Sequence, residues 1–239
     1  MTTTMTDDEL TALLKPRVEA LQAQVKEACA RADRDPAGVT VIAVTKTVSP
    51  RIAALMPTLG LPNLGESRPQ ELWRKAEAIP TATFHLIGHL QRNKLDRTIP
   101  LIAMMHSADS ERMLEALNAF GVKHARAVPV LLEVNISRED AKGGIAAEDL
   151  AALYAKFHES PGLAIRGLMG MAAYADEPEA ARPAFRELRR VRDELEQAHG
   201  KSLPELSMGM SGDFVPAIEE GATFIRPGSV LFAGLPTDQ

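Results

Sequence analysis

Apolar positions along the chain fall into two alternating patterns. From Asp7 to Arg34, Leu10, Leu13, Leu14, Val18, Leu21, Val25 and Cys29 recur mostly at spacings of three and four. That spacing predicts an amphipathic surface helix, with a kink or restart near Lys15 because Pro16 removes a backbone donor. Beyond it lie eight short apolar runs: Val39–Lys46, Leu61–Glu66, Thr83–Gly88, Ile102–Asp109, Val128–Asn135, Ala164–Met171, Glu205–Ser211 and Thr223–Ser229. Several are apolar almost continuously, as strands buried on both faces of a parallel sheet are. Helical patterns separate them, at Pro50–Leu59, Arg68–Ala78, Asn93–Thr98, Ser110–Phe120, Ala147–His158, Glu177–His199 and Phe214–Glu220.

Strand–helix alternation over eight runs predicts an α/β fold, a (β/α)8 TIM barrel with an extra N-terminal helix. An open doubly wound sheet is the alternative, but no G-x-G-x-x-G follows an early strand. Little chain remains after Ser229 for an eighth helix, so the N-terminal helix is expected to cover that gap. No linker or repeat divides the sequence. The expectation is one domain over 1–239, with the helix at about 7–34 and the barrel at about 38–235.

Composition narrows the function classes. The chain has 239 residues, 27 Lys+Arg against 32 Asp+Glu, and a formal charge of -5. It carries no basic footprint for nucleic acid or acidic membranes. Cys29 is the single cysteine, which excludes an internal disulfide and a cysteine-cluster metal site. No apolar run reaches the roughly 18 residues of a membrane span, and MTTTMTDDEL lacks the basic and apolar regions of a signal peptide.

Barrel enzymes and binders place their sites at the C-terminal strand ends. The polar residues ending the runs are therefore candidates: Thr45, Lys46, Glu66, Ser67, His89, Gln91, Ser107, Asp109, Glu133, Asn135, Ser207, Ser211, Arg226, Gly228 and Ser229. Lys46 ends the run Val-Ile-Ala-Val-Thr. It reads either as an amine for Schiff-base chemistry with a carbonyl or as a lysine reaching out to water. Ser211, Gly228 and Ser229 end the last two runs, where phosphate sites are often built, although Gly and Ser also make ordinary turns. Arg226 reads as half of an ion pair with Glu66 or another inward carboxylate, or as a donor to a ligand's ring nitrogen. His85 and His89 share no helix face, so a zinc site is not expected. Met104, Met105, Met169, Met171, Met208 and Met210 read as core filling, and the arginine-rich Glu177–His199 segment as a solvated outer helix.

These pieces carry a family resemblance. Val41-Ile-Ala-Val-Thr-Lys46, Leu64-Gly-Glu-Ser-Arg-Pro-Gln-Glu71, His85-Leu-Ile-Gly-His-Leu-Gln-Arg-Asn-Lys94, Val134-Asn135 with Lys142-Gly-Gly144, Arg166-Gly-Leu-Met169, Leu206-Ser-Met-Gly-Met-Ser-Gly-Asp213 and Arg226-Pro-Gly228 occur in order. The sequence resembles the pyridoxal 5′-phosphate homeostasis proteins, small relatives of the alanine racemase barrel. The resemblance implies a cofactor-binding set. Lys46 would condense with the cofactor aldehyde, and Ser211, Gly228 and Ser229 would hold the phosphate. Arg226 would face the pyridine nitrogen, and Asn135 and Met210 would line the pocket. It further implies a cytoplasmic monomer that regulates or carries pyridoxal phosphate without established catalysis, with apo pyridoxal-phosphate enzymes as possible recipients. The chain departs from the family at Ser67, where Asn is usual, at Glu133, where Gln is common, and at Pro227 in place of Ile. The alternative reading is an amino-acid racemase, which needs a second proton-transfer group opposite Lys46. A third is a Schiff-base aldolase acting on a phosphorylated sugar.

Overall fold

In the computed structural model, residues 5–137 and 143–235 are described. Lys142, named among the motifs above, lies outside them. Parallel strands make one sheet: β1 (Thr40–Val41), β2 (Ala43–Val44), β3 (Asn63–Glu66), β4 (Thr83–Leu86), β5 (Met104–Ala108), β6 (Val128–Val134), β7 (Leu163–Gly170), β8 (Glu205–Ser207) and β9 (Phe224–Ile225). Their order, β1-β9-β8-β7-β6-β5-β4-β3-β2, is that of a ring. β1 pairs with β9 and β2 with β3, so the first apolar run serves as one strand that changes partner at Ile42. That residue still donates its N–H to Ile225, and Val44 donates to Pro227. The eight expected strands thus close into a barrel, the first recorded in two pieces.

The helices are α1 (Asp7–Arg31), α2 (Pro50–Ala53), α3 (Leu55–Thr58), α4 (Pro69–Ala78), α5 (Leu95–Thr98), α6 (Glu111–Lys123), α7 (Ala147–Phe157), α8 (Arg182–His199), α9 (Phe214–Glu219) and α10 (Ser229–Phe232). They alternate with the strands, and the main apolar core lies between the two layers. A separate cluster of Ile42, Leu131, Met169 and Phe224, with Met104 against it, fills the barrel itself. Among the described residues, no helix is long and apolar enough to cross a membrane.

α1 forms because its start is capped and one face is apolar. Thr6 accepts from the Glu9 N–H at 3.2 Å, and Glu9 accepts from the Thr6 N–H at 2.7 Å. These bonds hold the Glu9 carboxyl below its ordinary value. Leu10, Leu14, Val18, Leu21, Val25, Ala28 and Cys29 are buried, while Leu13 faces out. The helix runs through Pro16 without the restart expected near Lys15. One missing backbone donor costs less here than losing the packed stripe on both sides of it.

The gap after the last strand is covered as expected. α1 packs on α9 and α10. Arg17 donates to the carbonyls of Leu231 and Ala233 at 2.8 and 2.9 Å, and Arg34 to those of Ile218 and, at 2.8 Å, Ala222. These arginines tie α1 and the turn after it to the backbone around α9 and α10. The arginines of α8 are less solvent-directed than their composition suggests. Arg182, Arg186 and Arg189 converge on the buried Glu220 carboxylate, at 3.1, 2.9 and 3.1 Å. The segment read as a solvated outer helix is tied to the end of α9.

Candidate cofactor-binding site

Parallel strands bring their C-terminal ends to one rim. Lys46 lies two residues beyond β2, Asn135 one beyond β6, Ser211 four beyond β8, and Arg226 directly after β9. Gly228 and Ser229 follow, at the start of α10. With Met210, three residues beyond β8, the seven positions that the resemblance assigns to the cofactor share this end of the barrel. Lys46 is exposed and Asn135 half-buried. Asn135 Oδ1 accepts from Ser137 Oγ at 3.2 Å.

The tightest part of the rim lies between β2, β8 and β9. Ser211 Oγ accepts two backbone N–H groups, from Gly228 at 2.9 Å and Val230 at 3.2 Å. A Cβ at position 228 would lie 3.4 Å from the Val44 carbonyl oxygen, so the chain passes close to the strand that carries Lys46. Gly209 makes the preceding turn with φ +91°, and a Cβ there would meet the Ala217 side chain at 2.6 Å. Asp213 accepts the Met210 N–H at 2.6 Å and fixes the loop bearing Ser211. This turn ends the strand at Ser207 and leaves Met210 39% exposed. Met210 is thus a rim residue rather than core filling, whereas Met105, Met169 and Met208 are buried as expected.

Arg226 does not pair with Glu66. Its Nη1 donates to Ser207 Oγ at 2.6 Å and its Nη2 to the Gly170 carbonyl at 3.1 Å. Burial pushes its guanidinium down to about 10, against the opposing pull of Glu133 and Asp213, so it remains a cation at neutral pH. Glu133 faces the same region, and its carboxyl is raised by burial and by Asp109, an effect that Arg226 and His89 oppose. His89 and Asp109 pair at the rim, with 2.7 Å between Nδ1 and Oδ2.

Glu66 is held instead by a residue the sequence reading missed. Lys75, on α4, is fully buried, and its Nζ donates to Glu66 Oε1 at 2.5 Å and to the Thr45 carbonyl at 2.6 Å. Thr45 Oγ donates to the same carboxylate oxygen at 2.5 Å. The cluster braces the backbone next to Lys46. Among the described residues, Glu66 Oε2 is the one buried side-chain oxygen or nitrogen without a hydrogen-bond partner. Also missed were His106 and the inward role of His85. His85 and His106 sit 3.0 Å apart inside the barrel, and His106 lies 2.8 Å from Ser207. Polar residues at alternate positions of otherwise apolar strands were their only signal. Among the described residues no group of acids, histidines and cysteines is arranged to hold a metal ion.

The family described as "Alanine racemase, N-terminal domain" matches residues 17–236. The pyridoxal phosphate homeostasis protein of Aquifex aeolicus is 38% identical over 218 residues, which cover 90% of this chain and 96% of that protein. The protein of the same name from Deinococcus radiodurans is 37% identical over 217 residues, covering 90% and 99%. Among solved structures, PipY of Synechococcus elongatus PCC7942 without PLP superposes with a TM-score of 0.79 at 31% identity, covering 92% of this chain and 100% of PipY. PipY with PLP bound gives 0.76 at 29% identity, covering 88% and 100%. By sequence and by barrel, the chain belongs to the pyridoxal phosphate homeostasis family, which is built on the alanine racemase N-terminal domain.

Proposed function

We propose that this chain holds pyridoxal 5′-phosphate at the C-terminal rim of its barrel and regulates or carries that cofactor inside the cell without turning over a substrate. The observation that carries this reading is the convergence of the Gly228 and Val230 N–H groups on Ser211 Oγ, beside the strand end that leads to Lys46. Backbone donors and a hydroxyl at one point suit a phosphate, a free amine suits an aldehyde, and a fixed guanidinium suits a ring acceptor. The donor set therefore fits the cofactor that PipY binds.

When bound, pyridoxal phosphate supplies an aldehyde for a lysine amine and an electron-accepting ring. Ser211, Gly228 and Ser229 would hold the phosphate, with the Ser211 hydroxyl turning its own O–H toward the anion. Lys46 would reach the aldehyde from the solvent side, and Asn135 and Met210 would border the ring. Arg226, as a cation and a donor, would keep a ring nitrogen unprotonated. An unprotonated ring is a weak electron sink, which favours holding over turnover.

The racemase alternative needs a second proton-transfer group opposite Lys46. Tyr154 is buried in α7 among His158 and His199. Tyr174, on the loop after β7, is 91% exposed. Neither stands inside the rim. On the family resemblance, the protein works in the cytoplasm as a monomer. There it buffers free cofactor or passes it to apo-enzymes.

The test is borohydride reduction of the protein with pyridoxal phosphate, followed by peptide mass spectrometry. The modification is expected on Lys46 and is absent from Lys46→Ala. Retention of the same adduct by that variant refutes the assignment. Ser211→Ala removes one charge-assisted hydrogen bond, worth about 1.5–3 kcal/mol, so its dissociation constant should rise by roughly 10- to 150-fold. Equilibrium dialysis measures it, and an unchanged constant contradicts the phosphate role. Racemisation of added L-alanine faster than about 1 s⁻¹, within the ordinary enzyme range, would replace the carrier reading by the racemase.

A further inference from the structure

Five polar side chains cross the barrel interior in a single hydrogen-bonded file. Arg226 Nη1 lies 2.6 Å from Ser207 Oγ, and Ser207 Oγ lies 2.8 Å from His106 Nδ1. His106 Nε2 is 3.0 Å from His85 Nδ1, and His85 Nε2 is 3.1 Å from Asn63 Oδ1. Phe224 packs against both imidazoles, with centroid distances of 5.7 Å to His85 and 5.1 Å to His106. Ser207 and His106 are completely buried.

Counting hydrogens sets the direction of the file. Arg226 can only donate, so Ser207 Oγ accepts from it. The Ser207 hydrogen then needs an acceptor, and His106 Nδ1 is the one within reach. His106 must therefore carry its hydrogen on Nε2 and give it to His85 Nδ1. His85 in turn carries its hydrogen on Nε2 and gives it to the Asn63 amide oxygen. Every member is satisfied. In the reverse direction Asn63 donates first, both imidazoles carry hydrogen on Nδ1, and Ser207 receives two donors while its own hydrogen is left buried without a partner. Burial keeps both imidazoles neutral, as the forward direction requires. The file is not a proton wire. Its ends are a guanidinium that holds its protons and an amide that passes none.

We propose that His106 and Ser207 are positioning residues for Arg226, the imidazole tautomer presenting Ser207 as an acceptor and so locking the guanidinium plane at the barrel rim. Together with the Gly170 carbonyl, Ser207 anchors both Nη groups. The N–H groups not used in these two bonds are the ones that could serve a ligand acceptor. The consequence for pyridoxal phosphate rests on the function proposed above, but the lock itself does not.

The lock is read without ligand, by long-range proton–nitrogen NMR of the full-length protein labelled with ¹⁵N in histidine and arginine. At pH 7 both His85 and His106 should show hydrogen on Nε2 and a lone pair on Nδ1. Asn63→Asp, which can accept but not donate, should keep both tautomers. Ser207→Ala, a truncation by a single atom, should merge Arg226 Nη resonances that are separate in the native protein. Hydrogen on Nδ1 of either ring, a reversal in Asn63→Asp, or unchanged Arg226 signals in Ser207→Ala would overturn the proposal. A second arm compares pyridoxal phosphate with its 1-deaza analogue, in which carbon replaces the ring nitrogen. Ser207→Ala should weaken the first by about tenfold, one hydrogen bond's worth, and leave the second unchanged. Equal weakening of both denotes a merely structural residue and also overturns it. If the native protein binds neither compound, the proposed function fails while the NMR arm still decides the lock.

Discussion

Lys75→Met will destabilise the protein by about 3–5 kcal/mol, the cost of leaving a buried carboxylate without its counter-charge. The lysine and Glu66 side chains are 1% and 0% exposed, and among the described residues the ammonium is the only cation paired with that carboxylate. Thr45 would still donate to Glu66 Oε1, but a hydroxyl does not neutralise a charge, and Oε2 already lacks a partner. Methionine fills most of the lysine volume, so the loss reports charge rather than a cavity. The double variant Lys75→Met/Glu66→Gln should recover most of the stability, because a neutral pair of similar size replaces the ions. Urea unfolding of the four proteins of this cycle measures both effects. A single variant losing less than about 1 kcal/mol would mean that the carboxylate finds water or a proton at little cost. The same variant should loosen the rim, since Lys75 also holds the Thr45 carbonyl next to Lys46.

Acid should begin to weaken the fold above the range in which carboxylates titrate. Burial lowers the His85 imidazole to about 4, against 6.5 when unfolded. Between those values the unfolded chain binds more protons than the native one, so stability rises with pH through this window. It is fully present above about pH 6.5 and is lost progressively down to about pH 4. The difference of about 2.5 pH units corresponds to about 3 kcal/mol. His106 is also held well below its ordinary value, by burial and by the neighbouring His85 and Arg226, and acts in the same direction. Urea titrations at pH 7 and pH 4.5 should differ by a few kcal/mol, and His85→Gln should flatten the dependence. A native protein equally stable at both pH values would contradict the buried neutral pair.

The barrel was legible because its strands are buried on both faces. Runs such as Val128–Val134 and Leu163–Gly170 lack the polar alternation of a half-exposed strand, and helical periods separate them. What the pattern could not show was set by tertiary contact. Lys75 lies in a helix of mixed polarity, where lysine ordinarily faces water, and only the packing of α4 over β3 reveals its carboxylate partner. Met210 sat in an apparently continuous apolar run, but the left-handed turn at Gly209 ends the strand and exposes it. The file from Arg226 to Asn63 joins residues from four strands and the end of a fifth. Each looks isolated in the sequence, and the ring of parallel pairings brings them together.

A crystal structure of the protein soaked with pyridoxal 5′-phosphate bears most directly on the claim that the rim between the first and last strands is a cofactor seat. Density should run unbroken from the Lys46 amine, with the phosphate held by Ser211, Gly228 and Ser229 and the Ser211 hydroxyl donating to it. An empty rim, or the compound attached to a different lysine, would contradict the account.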